Sequence, residues 1–261
     1  MRVFAGPNGS GKSSIIKQIL ETKVSKNKTL DFGIYVNADD IASLFQNTTC
    51  KFEKYNISAT LPEKLDIANN SGLINDKFSL DRFKACICFE NNQVSINHTV
   101  ADEKDDKPYE RIAQIIADYL RKKLLENEAK FSFETVFSHE SKIDIIRKAK
   151  EQGYKVYLYF VSTEDPWINV YRVKVVRVGE LGHDVDEDKI VNRYYRSMDQ
   201  MYEAAQHCYQ AYFFDNSSNG NNHSLFAHFK LNREGKKEWD PIDKTLVPSW
   251  FIKYYSEKIK K

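Results

Sequence analysis

The sequence predicts an α/β fold in which helices cover both faces of a parallel sheet, with an inserted subdomain. Three observations predict it. Short apolar stretches that end in polar residues recur along the chain, stretches with apolar residues at helical spacing separate them, and a glycine-rich loop joins the first strand to the first helix. With 261 residues, 41% of them hydrophobic, the chain can bury one substantial core, or one core with an insertion.

Arg2-Val3-Phe4-Ala5 reads as a short buried strand, and Lys12 to Glu21 as a helix with Ile15, Ile16, Ile19 and Leu20 on one face. Gly33 to Asn37 reads as a second strand, which delivers Ala38-Asp39-Asp40 at its carboxyl end. Phe131 to Glu134, Val156 to Val161 and Ala211 to Asp215 repeat the design. Helical patterns lie between them. One carries Ile112, Ile115, Ile116, Tyr119, Leu120 and Leu124, and the next Ile143, Ile145, Ile146 and Ala149, stopped at Gly153. A third runs from Pro166 to Val178, with Asp165 as its cap and Pro166 in its first turn. The last long helix, about Glu187 to His207, bears Ile190, Tyr194, Met198, Met201, Tyr202 and Ala205 at core-packing intervals. In parallel sheets ligands sit beyond the carboxyl ends of the strands, where Asp39 and Glu134 are predicted to lie.

The stretch 45–107 breaks this rhythm. It holds a candidate hairpin, Phe83 to Phe89, then Asn91-Asn92-Gln93, then Val94 to Ile96, and a charged run, Asp102 to Lys107, that reads as a solvated loop. After the turn-rich Asn216 to Asn222, Leu225 to Leu231 reads as an edge strand and Val247 to Lys260 as a closing helix with a basic end. The expected organisation is a core of residues 1–44 and 108–217, an insertion of residues 45–107 forming an acceptor-side subdomain, and a C-terminal extension, 218–261, packed on the core.

Lys and Arg number 39 against 37 Asp and Glu, a net charge of +2, and such mixed charge argues against a surface for duplex DNA or acidic membrane. A small-molecule substrate fits better. Cys50, Cys86, Cys88 and Cys208 have no metal-ligand spacing and read as reduced thiols, with Cys86 and Cys88 on one strand face. No apolar segment is long enough to span a bilayer, and the glycine loop at residue 6 leaves no space for a signal peptide, so the expected location is the cytoplasm.

The loop itself, Gly6-Pro7-Asn8-Gly9-Ser10-Gly11-Lys12-Ser13, is a complete P-loop, and Ser14 follows in the first helical turn. Its spacing places backbone N–H groups around nucleotide phosphates, brings Lys12 to the β/γ oxygens and leaves the Ser13 hydroxyl for Mg²⁺. ATP or GTP is the expected ligand, and the sheet is expected to be of the P-loop NTPase type. Asp39 suits a base that accepts a proton from an attacking hydroxyl, or a carboxylate that holds Mg²⁺ through water; the bland alternative is that Asp39 or Asp40 caps the following helix. Glu134, with Thr135, suits recognition of a hydroxyl. Arg172 and Arg177 do not share a helix face, and Gly179, Gly182 and His183 follow them, so the arginines divide between a helix and a lid that Arg193 could join.

Jointly these residues resemble the zeta-toxin-like P-loop kinases. The resemblance runs through Val3 to Ser13, Asn37 to Ala42, Phe133-Glu134-Thr135 and Gly153 to Val156. It continues through Arg172, Arg177, Gly182, His183, Val185, Arg193, Tyr194 and Ser197, and ends at Phe214 to Ser217, covering about two-thirds of the chain. It implies transfer of the γ-phosphoryl group of ATP, with Mg²⁺, to a hydroxyl of a small molecule such as a nucleotide sugar. By the same resemblance Asp39 is the general base, Glu134 a substrate-site carboxylate, Arg172 with Arg177 or Arg193 the phosphate clamp, and Asp215-Asn216 a loop near the adenine. An inhibitory antitoxin is the implied partner if the chain is a toxin. Two alternatives stay open: a kinase acting on a nucleoside or an RNA 5′-hydroxyl, and a non-catalytic ATP-binding switch.

Overall fold

The computed structural model describes residues 1–25, 28–59, 67–69, 71–102, 108–177, 185–218 and 223–259. Two compact units divide the chain, one of residues 1–31 and 134–261, the other of residues 32–133.

In the first unit Tyr157–Ser162 is flanked by Arg2–Ala5 and Gln210–Asp215, parallel to both. Arg2 pairs with Tyr157 and Ala5 with Phe160, while Gln210 pairs with Tyr157 and Asp215 with Ser162, so all three strands start at one level and point their carboxyl ends to the same side of the sheet. That side is where ligands bind in such sheets. From it depart the P-loop at Gly6, the turn that starts helix Pro166–Tyr171, and the loop at Asn216. Asp165 caps that helix as predicted, its carboxylate accepting from the Trp167 amide at 2.8 Å. The helix continues as a wider π-type turn, Arg172–Arg177.

Ser224–Leu231 is not the edge strand that its sequence suggests. It lies antiparallel to Gln210–Asp215 on one side and to Lys237–Trp239 on the other. Three residues with few apolar neighbours give no strand signal, and the Asn232 side chain, accepting from the Glu234 and Lys236 amides, makes the turn that pairs them. The P-loop helix, Lys12–Glu21, buries Ile15 and Ile16 but leaves Leu20 42% exposed, so the predicted four-residue face is narrower than its apolar spacing.

On the sheet face away from Arg2 and Tyr159, the closing helical segment packs Phe251 and Tyr255 on Phe213, with ring centroids 4.9 and 5.2 Å apart. Trp250 sits on Phe160 and Phe226, and its indole N–H donates to Asp215 Oδ1 at 2.9 Å. Lys237 reaches into this cluster, donating to Gln206 Oε1 and Tyr255 Oη at 2.6 and 3.0 Å. Desolvation pulls its ammonium down to about 8, with Lys150 adding to the fall and Cys208 opposing it. Between that pH and the unfolded value near 10.5, the unfolded chain holds the proton that the folded chain has lost, so this group's contribution to stability rises with pH. The stability of the wild type relative to Lys237→Met is therefore expected to rise as pH goes from 8 to 10. Paired urea titrations across that range measure it, and a gap that does not change with pH would refute the assignment.

In the second unit Ile34–Val36 runs parallel to Phe131–Phe133 of strand Phe131–Thr135. Gly33, at φ 64°, enters this pair where an added Cβ would meet the Lys130 carbonyl at 2.1 Å, so only glycine fits. Helix Pro108–Glu126 buries Ile112, Ile115, Ile116, Leu120 and Leu124 as its spacing predicts.

The predicted hairpin is present but shorter: Ile87–Glu90 pairs with Gln93–Ile96, which also pairs with Cys50–Lys51. The expected strand residues Phe83 to Cys86 belong to a helix, Leu80–Cys86. Ser79 caps it, accepting from the Arg82 amide, and Phe83 and Cys86 are buried three residues apart. Cys86 and Cys88 therefore share no strand face: the first is buried at the helix end, the second exposed. All four cysteines are free thiols. The charged run at Asp102 to Lys107 lies outside the described residues from position 103 onward. Among the described residues no helix is long and apolar enough to cross a membrane.

Candidate active site

The P-loop of the first unit is built from backbone that only glycine adopts. Gly6, Gly9 and Gly11 have φ of 141°, 72° and 96°. Each also lies against a neighbour. A Cβ on Gly6 would stand 2.0 Å from the Val161 carbonyl oxygen, one on Gly9 2.7 Å from that of Asn169, and one on Gly11 2.3 Å from Asn216 Nδ2. The three glycines that define the motif in sequence thus answer three separate close approaches.

Lys12, the first helical residue, is only 7% exposed. Its Nζ donates to the carbonyls of Gly6 and Pro7 at 3.0 and 2.9 Å, and stands 3.8 Å from Glu134 Oε1. Lys12 and Glu134, predicted separately from sequence, are brought together. Thr135 follows Glu134 at the end of the strand, its hydroxyl accepting from the Phe137 amide at 3.1 Å. Ser13 and Ser14 are exposed in the first turn of the loop helix, at the end where helical N–H groups and the macrodipole favour anions.

Asn8 and Ser10 are buried in the loop, and among the described residues neither Asn8 Oδ1 nor Ser10 Oγ has a hydrogen-bond partner. Unpaired polar atoms in a buried loop are costly; the Ser10 hydroxyl can donate to a phosphate oxygen, whereas Asn8 Oδ1, an acceptor, needs a donor from elsewhere. With the left-handed glycines and a buried ammonium, the residues fit a nucleotide triphosphate. Among the described residues no group of three or more His, Cys, Asp or Glu is placed to hold a metal ion.

The arginines fall differently. Arg172 donates through Nη1 to the Asn216 carbonyl at 2.7 Å and through Nη2 to that of Ser218 at 3.3 Å, so its guanidinium supports the loop after Asp215. Arg177 ends the π-type turn, and its side chain lies outside the described residues, as do Gly179, Gly182 and His183. Arg193 stands half-buried in the second turn of helix Glu187–Gln206.

Asp39 belongs to the second unit, exposed in the first turn of helix Ala38–Asn47. The cap of that helix is neither Asp39 nor Asp40. Asn37 Oδ1 accepts from the Asp39 amide at 3.0 Å, so Asn37 is the cap. Partial desolvation and the Asp39 charge raise Asp40 above the ordinary carboxylate value, with Lys54 opposing them.

Three side chains hold the loop, of which sequence reasoning passed over Asn169 and His223 and named Asn216 only by resemblance, as part of a loop near the adenine. Asn169 Nδ2 donates to the Asn8 carbonyl at 2.5 Å, Asn216 Nδ2 to that of Ser10 at 2.9 Å, and His223 Nε2 to that of Gly11 at 3.1 Å. Asn169 is fully buried, and its Oδ1 accepts from the Thr163 hydroxyl. A signal for it existed: with Pro166, Val170 and Val173 it occupies the core-facing positions of its helix, where a polar residue needs a reason.

A mostly parallel α/β sheet with this loop at its strand ends defines a P-loop-type fold. No protein-family model matches the chain, and no curated protein matches it. Among solved structures it is similar to the PezAT chromosomal toxin–antitoxin system of Streptococcus pneumoniae, at 14% identity and a TM-score of 0.47 over 98% of this chain and 78% of the other. It is also similar to the AvrRxo1-ORF1:-ORF2 complex with ATP, at 14% identity and a TM-score of 0.44 over 97% of this chain and 62% of that one. The same complex with sulphate ions aligns at 14% identity and 0.45 over 91% and 59%. The chain thus spans less than two thirds of the AvrRxo1 chains. At these scores the likenesses say nothing about chemistry, which rests on the residues above.

Proposed function

We propose that the protein is an ATP-dependent kinase that transfers a phosphoryl group to a hydroxyl of a small molecule, a nucleotide sugar being the acceptor class that its motifs resemble most. The observation that carries the reading is the pairing of a left-handed glycine loop and its buried Lys12 with the Glu134 carboxylate, 3.8 Å from the ammonium at the carboxyl end of a strand. The loop amides and Lys12 hold the triphosphate, and the Ser13 hydroxyl would hold Mg²⁺, which would supply neutralisation of phosphate charge. Glu134, with Thr135 beside it, orients the acceptor. Asp39 receives the proton of the attacking hydroxyl, and Arg172, Arg177 and Arg193 are the candidate cations for charge spread over the transferring group. An inhibitory antitoxin, which the motif resemblance implies, belongs to the same proposal.

The experiment is to incubate the protein with labelled ATP, Mg²⁺ and a fractionated metabolite extract. A kinase consumes ATP faster with one fraction than without, and one hydroxyl compound gains the label. Slow hydrolysis that no fraction accelerates would instead support a nucleotide switch, and label on a nucleoside or an RNA 5′ end would move the acceptor to those classes.

A further inference from the structure

The three side chains that grip the P-loop from outside do more than hold it still. A trans peptide is planar, so a carbonyl and the following N–H point in opposite directions. Fixing the carbonyl of one residue therefore aims the amide of the next. Asn169 draws the Asn8 carbonyl towards helix Pro166–Tyr171, Asn216 draws that of Ser10 towards the loop after strand Gln210–Asp215, and His223 draws that of Gly11 to the start of strand Ser224–Leu231. The amides that follow these carbonyls belong to Gly9, Gly11 and Lys12.

We propose that Asn169, Asn216 and His223 are positioning residues that turn the amides of Gly9, Gly11 and Lys12 into the phosphate cradle. The inference rests on the nucleotide-binding reading and assigns the machinery behind it. Each donor is secured from its own side. Thr163 occupies Asn169 Oδ1, which leaves the Asn169 amide nitrogen for Asn8, and Tyr194 in turn donates to the Thr163 carbonyl at 2.7 Å. Arg172 holds the Asn216 backbone carbonyl at 2.7 Å, so that residue's side chain is presented from a fixed main chain. His223 must donate through Nε2, because a carbonyl only accepts, which fixes its tautomer with Nδ1 unprotonated in the neutral ring. The Gly11 carbonyl also accepts from the amides of Ser14 and Ile15 at 3.1 Å, so His223 adds a side-chain donor to the oxygen that opens the helix.

The remaining loop peptides follow a different pattern. The Ser10 amide donates to the Pro7 carbonyl at 3.3 Å, within the loop, and Pro7 has no N–H. Amide-resolved NMR therefore separates the two sets. On titration of the wild-type protein with inorganic triphosphate and Mg²⁺, the amide protons of Gly9, Gly11 and Lys12 are expected to move downfield while that of Ser10 moves least. Asn169→Leu should abolish the Gly9 shift, Asn216→Leu that of Gly11 and His223→Leu that of Lys12, each raising the Kd for triphosphate about tenfold, as the loss of one charge-assisted hydrogen bond predicts. Tyr194→Phe, which loosens the Thr163 brace behind Asn169, should weaken the Gly9 shift alone and leave those of Gly11 and Lys12 in place.

Failure of the wild type to bind triphosphate would overturn the nucleotide reading and this inference with it. Binding in which Gly9, Gly11 and Lys12 shift in every variant as they do in the wild type would overturn the inference alone. Should a variant not fold, the wild-type titration still decides: a Ser10 shift as large as those of Gly9 and Gly11 would contradict the assignment.

Discussion

Lys12→Ala is expected to weaken Mg·ATP binding by about 10- to 100-fold, the scale of a lost hydrogen bond to a charged group, and to abolish phosphoryl transfer. The ammonium rests on the carbonyls of Gly6 and Pro7 and beside Glu134, so phosphate oxygens must replace those partners when nucleotide binds. Truncation removes a buried charge but takes a donor from the Gly6 and Pro7 carbonyls, and these effects on stability oppose one another. The thermal midpoint should accordingly move much less than the affinity. Calorimetry on the folded variant measures the loss, and undiminished affinity for Mg·ATP would contradict the role given to Lys12.

The second large effect concerns Asp39. Asp39→Asn keeps the size of the side chain and removes its basicity, so a proton acceptor at this position predicts that transfer falls by about 10² to 10⁴ with Mg·ATP affinity nearly kept. A carboxylate that orders metal predicts that affinity and activity fall together. Helix Ala38–Asn47 should survive in either case, because Asn37 supplies the cap. Turnover and calorimetry on one preparation separate the two roles. Parallel losses would remove Asp39 as the base and pass that role to Glu134.

The parts of the fold that sequence discloses are those that depend on near neighbours. A strand, a glycine loop and a helix within the first 21 residues announce the phosphate site, because each glycine meets a local conformational demand that no other residue satisfies. Asp165 is likewise recognisable as a cap from the proline that follows it. Asn37 was equally legible as a cap before Ala38, but the two aspartates after it draw attention away. Phe83 to Cys86 mislead for a different reason. A short apolar run satisfies either period, and the Ser79 cap four residues upstream decides for helix.

What sequence does not disclose is whatever depends on distant pairing. Lys237–Trp239 is a strand because Phe229 to Leu231 lies beside it, and Leu20 stays 42% exposed although its spacing places it on the apolar face. Asn216 opens, and His223 follows, a turn-rich stretch whose composition says only that the chain bends. Their partners in the P-loop are fixed by the order of strands, which the local pattern does not carry. The candidate site divides in the same way: its loop was read directly, its supports were not.

The three supports of the loop carry a consequence for the order in which the protein is made. Asn169 is 161 residues from its partner, Asn216 is 206 and His223 is 212. The P-loop leaves the ribosome well before its last brace, which emerges 212 residues later. Domains tend to fold as units during synthesis, and contacts so distant in sequence close late. A growing chain would expose the glycine loop without the means to shape it until those braces emerge, so nucleotide binding would begin only then, and fragments that keep the whole motif but stop before Asn169 would remain inert.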